Sequence, residues 1–376
     1  MDSGRLAAGE VSGMRAASGE ALQAIVSRVR GEDRETRMDA AREIRQLTKT
    51  SARHRRHLAG AIEPLVAMLR DENLDCVEVA ILALLNLAVK DERNKIKIVD
   101  AGALDPIITF LQSKNSNLQE YATAVLLTLS ATSHNKPIIS SCGAIPLLID
   151  TLINGNPQAK IDAIMALYNL STISSNLETI LKSHTIPPLI AVLKTCNKSS
   201  KTADKCCAIL ESLLAYDEGR AALTAEQGGV LSLVEVLEEG SLHGREHAVG
   251  ALLTMCESDR NRYREIILKE GAIPGLLELT VHGTPRSRIK AKELLHLLRK
   301  SPYQRSELEA DALENIVCSI VSGMEGEDCA GKAKKMLAEM VQVSMEQSLR
   351  HLQQRALVCT SSEIPLKTCK SEVPLK

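Results

Sequence analysis

The chain writes one short block six times, and that repetition limits its fold more than any other feature. Gly60-Ala61-Ile62-Glu63-Pro64-Leu65 is followed by Gly102-Ala103-Leu104-Asp105-Pro106-Ile107 and Gly143-Ala144-Ile145-Pro146-Leu147-Leu148. His184-Thr185-Ile186-Pro187-Pro188-Leu189, Gly228-Gly229-Val230-Leu231-Ser232-Leu233 and Gly271-Ala272-Ile273-Pro274-Gly275-Leu276 complete the set. From the first residue of each block to the next, the steps are 42, 41, 41, 44 and 43 residues. Self-similarity at that period is the signature of a helical solenoid built from two- or three-helix units. The chemistry of the block agrees. Gly accepts the left-handed backbone that ends a helix, and a Pro in the first turn of the next helix lacks only an N–H that would be unpaired there anyway.

A second marker keeps the same period. Each unit carries a longer apolar helix with one polar residue in phase, as in Leu84-Leu85-Asn86-Leu87 and Leu167-Tyr168-Asn169-Leu170. The in-phase residues are Gln46, Asn86, Thr128, Asn169, Ser212, Thr254 and His296, at steps of 40, 42, 41, 43, 42 and 42. Clusters of turn formers (Asp71-Glu72-Asn73, Ser113 to Asn117, Asn154 to Pro157, Cys196 to Ser200) always fall between the shorter and the longer helix.

Composition narrows the function. With no Trp, one Phe and five Tyr, the 376-residue chain cannot build a core on aromatic anchors; Leu, Ile, Val and Ala at helical spacing suit closely stacked helices instead. A net charge of −1 argues against electrostatic capture of nucleic acid or of an anionic membrane. No run of 18 apolar residues is present, so no membrane span is expected. The ten cysteines form no Cys-x-x-Cys pair, and no signal-peptide pattern precedes them. They read as reduced, mostly buried thiols of a cytoplasmic or nuclear protein.

Residues 1–19 are Gly/Ala/Ser-rich and aperiodic, and are expected to be a disordered leader. The repeat domain is expected over 20–300, with about seven repeats. Its first unit, Ala21 to Arg30 and Arg34 to about Thr50, is incomplete and highly charged, as an outward-facing cap should be. Residues 301–357 read as C-terminal capping helices, with Met336, Met340 and Val343 on one stripe, and 358–376 as a disordered tail.

Few residues suggest chemistry. His243-Gly244-Arg245-Glu246-His247 has the His-x-x-Glu-His spacing of a zinc peptidase. However, Glu246-His247 shares its repeat phase with Glu120-Tyr121 and Asp204-Lys205, so the repeat already accounts for it. No metal or other cofactor is expected. Arg53-His54-Arg55-Arg56-His57 is the densest basic run and reads as a solvated loop; Arg286, Arg288, Lys290 and Lys292 form a second basic cluster. There is no Gly-rich phosphate loop, nucleophile pair or framed carboxylate pair, so no catalytic site is expected.

The Gly-Ala-Ile-x-Pro-Leu block, followed by a helix ending Leu-x-Asn-Leu-Ser, resembles the armadillo repeat. Two stretches resemble plant U-box ubiquitin ligases in particular. Ala40 to Thr50 is similar to the opening of their armadillo region. Glu270 to Leu277, with Gly283-Thr284-Pro285-Arg286 and Lys290 to Leu295, is similar to its closing repeat. The likeness covers roughly residues 21–300.

The resemblance implies an all-α, right-handed superhelical solenoid whose long third helices line a concave groove. It further implies that Gln46, Asn86, Thr128, Asn169, Ser212, Thr254 and His296 bind partners there. An Asn ladder can pair with the backbone of an extended peptide; a helix in the groove is the other form a partner can take. The implied role is a non-enzymatic scaffold in ubiquitin-linked signalling, with protein partners such as a U-box ligase or a receptor kinase, or else the substrate-recognition component of a ligase. Only the short leader precedes the repeats, so the U-box itself is expected to be missing. The import adaptor importin-α also resembles the pattern, but its repeats set Trp four residues before the Asn. This chain has Arg42, Leu82, Ala124, Met165, Ala208, Gly250 and Lys292 there, which argues against recognition of basic import signals. The small Ala124, Ala208 and Gly250 are expected to leave room for an apolar partner side chain.

Overall fold

Seven helical units occupy residues 19–299, the part of the chain that the computed structural model describes. Most of the leader, the expected capping helices with their Met stripe, and the tail lie outside the described residues. Among the described residues all regular structure is helical and no strand is present. The all-α solenoid read from the repeats is therefore the observed fold.

The first unit contributes a helix over 19–29 and a long helix Arg34–Thr48. Each later unit has a short, a middle and a long helix, so the repeat is of the three-helix kind. The long helices that follow are Leu74–Ala88, Ser116–Ser130, Pro157–Ser171, Lys201–Leu213, Leu242–Ser258 and Pro285–Leu298. Successive long helices pack on one another, and each of these six packs on the middle helix of its own unit.

The turn-former clusters prove to be caps. Asp33, Asn73, Asn115, Asn156, Ser200 and Ser241 each accept a backbone N–H from the first turn of a long helix. Thr284 does the same for Ser287, at 3.0 Å. Such a cap satisfies one of the four N–H groups that a helix start leaves unpaired and contributes about 1 kcal/mol. Gly102, Gly143, Gly228 and Gly271 adopt φ of 79°, 76°, 70° and 80°, as the left-handed turn between short and middle helix requires. His184 takes the same turn at φ 54°. Gly60 does not: the 3₁₀ segment Leu58–Ala61 carries the chain into the middle helix Ile62–Met68 without a left-handed residue.

The core is aliphatic. Ile44, Leu84, Leu126, Leu167, Leu210 and Leu252 are fully buried, one from each of the first six long helices. Burying each contributes roughly 1.5–3 kcal/mol. Ala80, Ala122, Ala163 and Ala248, also fully buried, let neighbouring helices approach closely. Cys76, Cys206, Cys207 and Cys256 are buried and Cys142 and Cys196 half-buried, all as free thiols.

A buried polar ladder stitches the units together. Arg55, Asn94, Asn135, Asn176 and Arg220 begin successive short helices and are at most 7 % exposed. Each donates to a carbonyl at the C-terminal end of the long helix before it: Thr48, Leu87, Leu129, Leu170 and Leu214, at 2.6–3.2 Å. Those carbonyls have no intrahelical partner. Asn94 and Asn135 also donate to the previous short helix, at Arg55 and Lys95. The basic run from Arg53 is accordingly not a solvated loop. It lies in the helix Ala52–His57, capped by Ser51, with Arg55 turned inward.

Candidate functional site

The long helices bury two faces and leave a third stripe uncovered, and the polar residues read from the sequence fall mostly along it. Asn86, Thr128, Asn169, Ser212 and Thr254 are half-buried, and Gln46 and His296 are exposed. The hydrogen bonds of this row run inward. Asn86 Nδ2 donates to Arg45 O at 2.8 Å, and Asn169 Nδ2 to Leu127 O at 3.3 Å and Ser130 Oγ at 3.1 Å, all in the preceding unit. The hydroxyls of Thr128, Ser212 and Thr254 donate to their own helices, at Ala124, Ala208 and Gly250. His296 falls out of register. The caps Ser241 and Thr284 and the buried pairs Ala248/Ala291 and Met255/Leu298 are all offset by the same 43 residues, so Leu297 answers to Thr254.

Between the polar row and the capped ends, three successive units present an apolar floor. Val79, Leu82 and Leu85 lie on the first helix with Val89 just past its end, Ala124 and Leu127 on the next, and Met165 and Tyr168 on the third. All are partly uncovered except Leu82, which is 8 % exposed. Ile161, beside them, is 39 % exposed. A carboxylate edges each strip: Glu78, Glu120 and Asp162. Among the described residues none of the three has a Lys or Arg partner; their contacts are neutral. Tyr121 donates to Glu78 at 3.3 Å, Asn156 to Glu120 at 2.8 Å and Gln158 to Asp162 at 3.0 Å. Burial pushes the Asp162 carboxyl above its usual range, the Gln158 amide opposes that rise, and the charge of Glu120 adds to it.

The character changes in the fifth to seventh units. Lys205 Nζ stands 3.6 Å over the Tyr168 ring and closes the floor. Beyond it, Glu211 receives two contacts: His247 Nδ1 at 2.7 Å on Oε2 and Lys290 Nζ at 2.6 Å on Oε1. Burial alone would raise the Glu211 carboxyl, but the hydrogen bonds from His247 and Lys290 and their charges outweigh it and hold it low. Gly250 lies beneath this group. A Cβ there would stand 1.9 Å from Glu211 Oε1 and 2.6 Å from Lys290 Nζ. The room expected above Gly250 for a partner side chain is thus already filled by the chain's own ions, and Ala208 is only 6 % exposed. Ala124 alone of the three small residues borders open floor.

The zinc-like string resolves into separate contacts. Glu246 accepts from the Thr284 hydroxyl at 2.5 Å, and His247 faces Glu211. Of the terminal basic cluster, Lys290 is tied to Glu211, while Arg286, Arg288 and Lys292 are exposed. Sequence reasoning missed the ladder of Arg55, Asn94, Asn135, Asn176 and Arg220, although it repeats at steps of 39, 41, 41 and 44. It missed the Glu211 group because two of its members sit 79 residues apart.

Comparison with known proteins agrees with this architecture. The family model of the plant U-box protein ARM repeat region matches residues 22–318. U-box domain-containing protein 17 of Arabidopsis thaliana is 36% identical over 267 residues, which is 69% of this chain and 36% of that protein. U-box domain-containing protein 45 of Arabidopsis thaliana is 30% identical over 246 residues, 64% of this chain and 31% of that protein. The chain therefore spans about a third of the length of these relatives. The crystal structure of an engineered protein shares the fold at a TM-score of 0.65 and 21% identity, covering 75% of this chain and 69% of that one. A continuous match over three-helix repeats, capped and stitched as described, carries one conclusion: this chain belongs to the plant U-box protein ARM repeat region family.

Proposed function

We propose that the chain is a protein-interaction scaffold that engages partners through the uncovered face of its long helices. The observation that carries this reading is the apolar floor of the second to fourth units. A solenoid gains nothing in stability from leaving Leu85, Leu127, Met165 and Tyr168 partly in water in three consecutive repeats, whereas a partner covering them gains buried area. Of the polar row, Asn86, Thr128 and Asn169 border this floor and contact the partner at its rim, while Gln46, Ser212, Thr254 and His296 continue the row on either side of it.

The relatives are named for their U-box domains, which supports a ubiquitin-linked process, with the chain supplying recognition rather than turnover. The partners of this proposal are proteins, a U-box ligase or a receptor kinase among them, met in the cytoplasm or nucleus. The second reading is a ligase component that selects substrate for a U-box partner.

Affinity purification from plant tissue tests the first reading, with wild type beside a Leu85→Glu, Leu127→Glu double variant of equal helicity. Specific partners lost from the variant support the face; an unchanged partner set overturns it. Reconstitution with ubiquitin, activating enzyme and a conjugating enzyme separates scaffold from ligase, since a scaffold builds no chains unless a U-box protein is added.

A further inference from the structure

Resting on that reading of the face, we infer that its partner presents an amphipathic α-helix with a basic flank, seated on Leu85, Leu127 and Met165 and ending against Tyr168. Three observations converge on this occupant.

The first is the direction of the polar row. An extended peptide needs donors and acceptors for its own backbone. Here the hydroxyls of Thr128, Ser212 and Thr254 are committed to carbonyls of their own helices, and Asn86 and Asn169 each donate to the unit before. A helix brings its backbone already paired and asks only for apolar contact.

The second is width. In the second unit the uncharged strip runs from Val79 to Val89, about 15 Å at 1.5 Å per residue, and in the fourth from Ile161 to Tyr168, about 10 Å. A helix with its side chains is roughly 10–12 Å across and covers such a strip, whereas a strand, at about 4.8 Å to its neighbour, leaves most of it wet.

The third is charge. Glu78, Glu120 and Asp162 edge the strip on one side with no cationic partner among the described residues, and Asp162 is half-buried. Lys or Arg on the flank of an incoming helix supplies that charge, while the stems of those side chains extend the apolar contact. The site ends where Lys205 covers Tyr168 and the Glu211–Lys290 pair fills the next unit. A basic helix therefore spans the second to fourth units and stops.

The test uses the full chain and three synthetic peptides of about 18 residues, roughly 27 Å as a helix. The first has Leu at positions i, i+3, i+4 and i+7 with Lys between. The second replaces every Lys by Glu. The third has the composition of the first, with Leu at every second position. Titration calorimetry gives affinity, and circular dichroism reports helix formation on binding. The expected result is binding of the first peptide with gain of helix, and at least about tenfold weaker binding of the other two. Glu120→Lys with Asp162→Lys should reverse the preference between Lys and Glu peptides, and Leu85→Glu with Leu127→Glu should abolish binding by both. Equal binding of the alternating peptide, equal binding of the Glu peptide, or no binding of the first peptide overturns the inference. Should the first peptide fail while the Leu85→Glu, Leu127→Glu variant still loses its captured partners, the face stands and only the class of partner falls. Should those partners be kept as well, both readings fall.

Discussion

Lys290 reaches over Gly250 to place its Nζ 2.6 Å from Glu211 Oε1, joining the fifth unit to the seventh across a residue that has no side chain. In a solenoid most contacts run between neighbouring units, so stability is close to a sum of adjacent interfaces. This pair bypasses the sixth unit and couples the two interfaces on either side of it.

Gly250→Ala tests that coupling directly. The new Cβ, at 1.9 Å from Glu211 Oε1, forces the carboxylate and the ammonium apart. Helix propensity alone would favour Ala by about 1 kcal/mol. Loss of a partly buried, charge-assisted pair opposes it by about 1–3 kcal/mol. The expected outcome in urea unfolding is net destabilisation, reduced when Lys290→Met is added. A gain in stability from Gly250→Ala alone would sink the account.

The same group predicts a pH dependence. The folded Glu211 carboxyl sits below its ordinary value of 4.5, so near that pH the unfolded chain binds more protons than the folded one. Stability from this group is complete above the ordinary value and is lost as pH falls through the lower folded value. The stability difference between wild type and Glu211→Gln should be flat above about pH 5.5 and shrink below about 4.5.

The buried ladder gives a prediction about folding. Asn135→Ala takes the amide donor away from the Lys95 and Leu129 carbonyls, of which Leu129 O keeps the Thr132 N–H at 3.3 Å, and also removes the amide's own unpaired Oδ1. The first effect costs about 2–3 kcal/mol and the second returns part of it, so a net loss of about 1–2 kcal/mol is expected in urea unfolding. Asn154→Ala, at an exposed site bonded among the described residues to Asp150, should stay within about 0.5 kcal/mol.

The left-handed turns predict opposite signs for two substitutions. At Gly143 an added Cβ meets no atom within 4 Å, yet φ is +76°. Gly143→Ala should therefore lose about 1 kcal/mol through backbone strain alone. His184→Gly, at φ 54°, relieves that strain against a larger entropy loss and should gain about 0.5 kcal/mol. Thermal melts of the two variants read both signs.

Thiol chemistry should follow burial. Burial pushes the Cys256 thiol up to about 11 and those of Cys206 and Cys207 higher still. Treating the native protein with N-ethylmaleimide near neutral pH should label Cys142 and Cys196 before Cys206, Cys207 and Cys256, as peptide mapping would show. Equal labelling of all five would mean that the fifth and sixth units open readily.

The repeat and the phase of the turn-former clusters were legible in the residues, because both depend on local spacing, whereas the choice of three helices over two and the capping role of those clusters came with the structure. Asn73, Asn115 and Asn156 announce a helix start wherever they stand before an apolar run. Direction was not legible. Asn94 and Asn86 are both polar residues held in phase, and nothing local distinguishes the one that turns inward to Leu87 and Arg55 from the one beside the open face. His296 was misread by one residue because the polar row was stepped by 42, whereas the last unit is offset by 43, as the step from Gly228 to Gly271 and the buried pairs both show. The basic run at Arg53 looked like a loop because its helix is one turn and a half long, and Arg55 is drawn inside by a carbonyl seven residues back.

The sequence by itself determined the period, the helical class and the aliphatic core, since hydrophobic spacing and capping act within a few residues. Tertiary structure alone decided which polar rows face in, that Glu211, His247 and Lys290 meet, and that no described residue covers the floor of Leu85, Leu127 and Met165. Those outcomes depend on how one unit rotates against the next, and a single helix carries no record of that rotation.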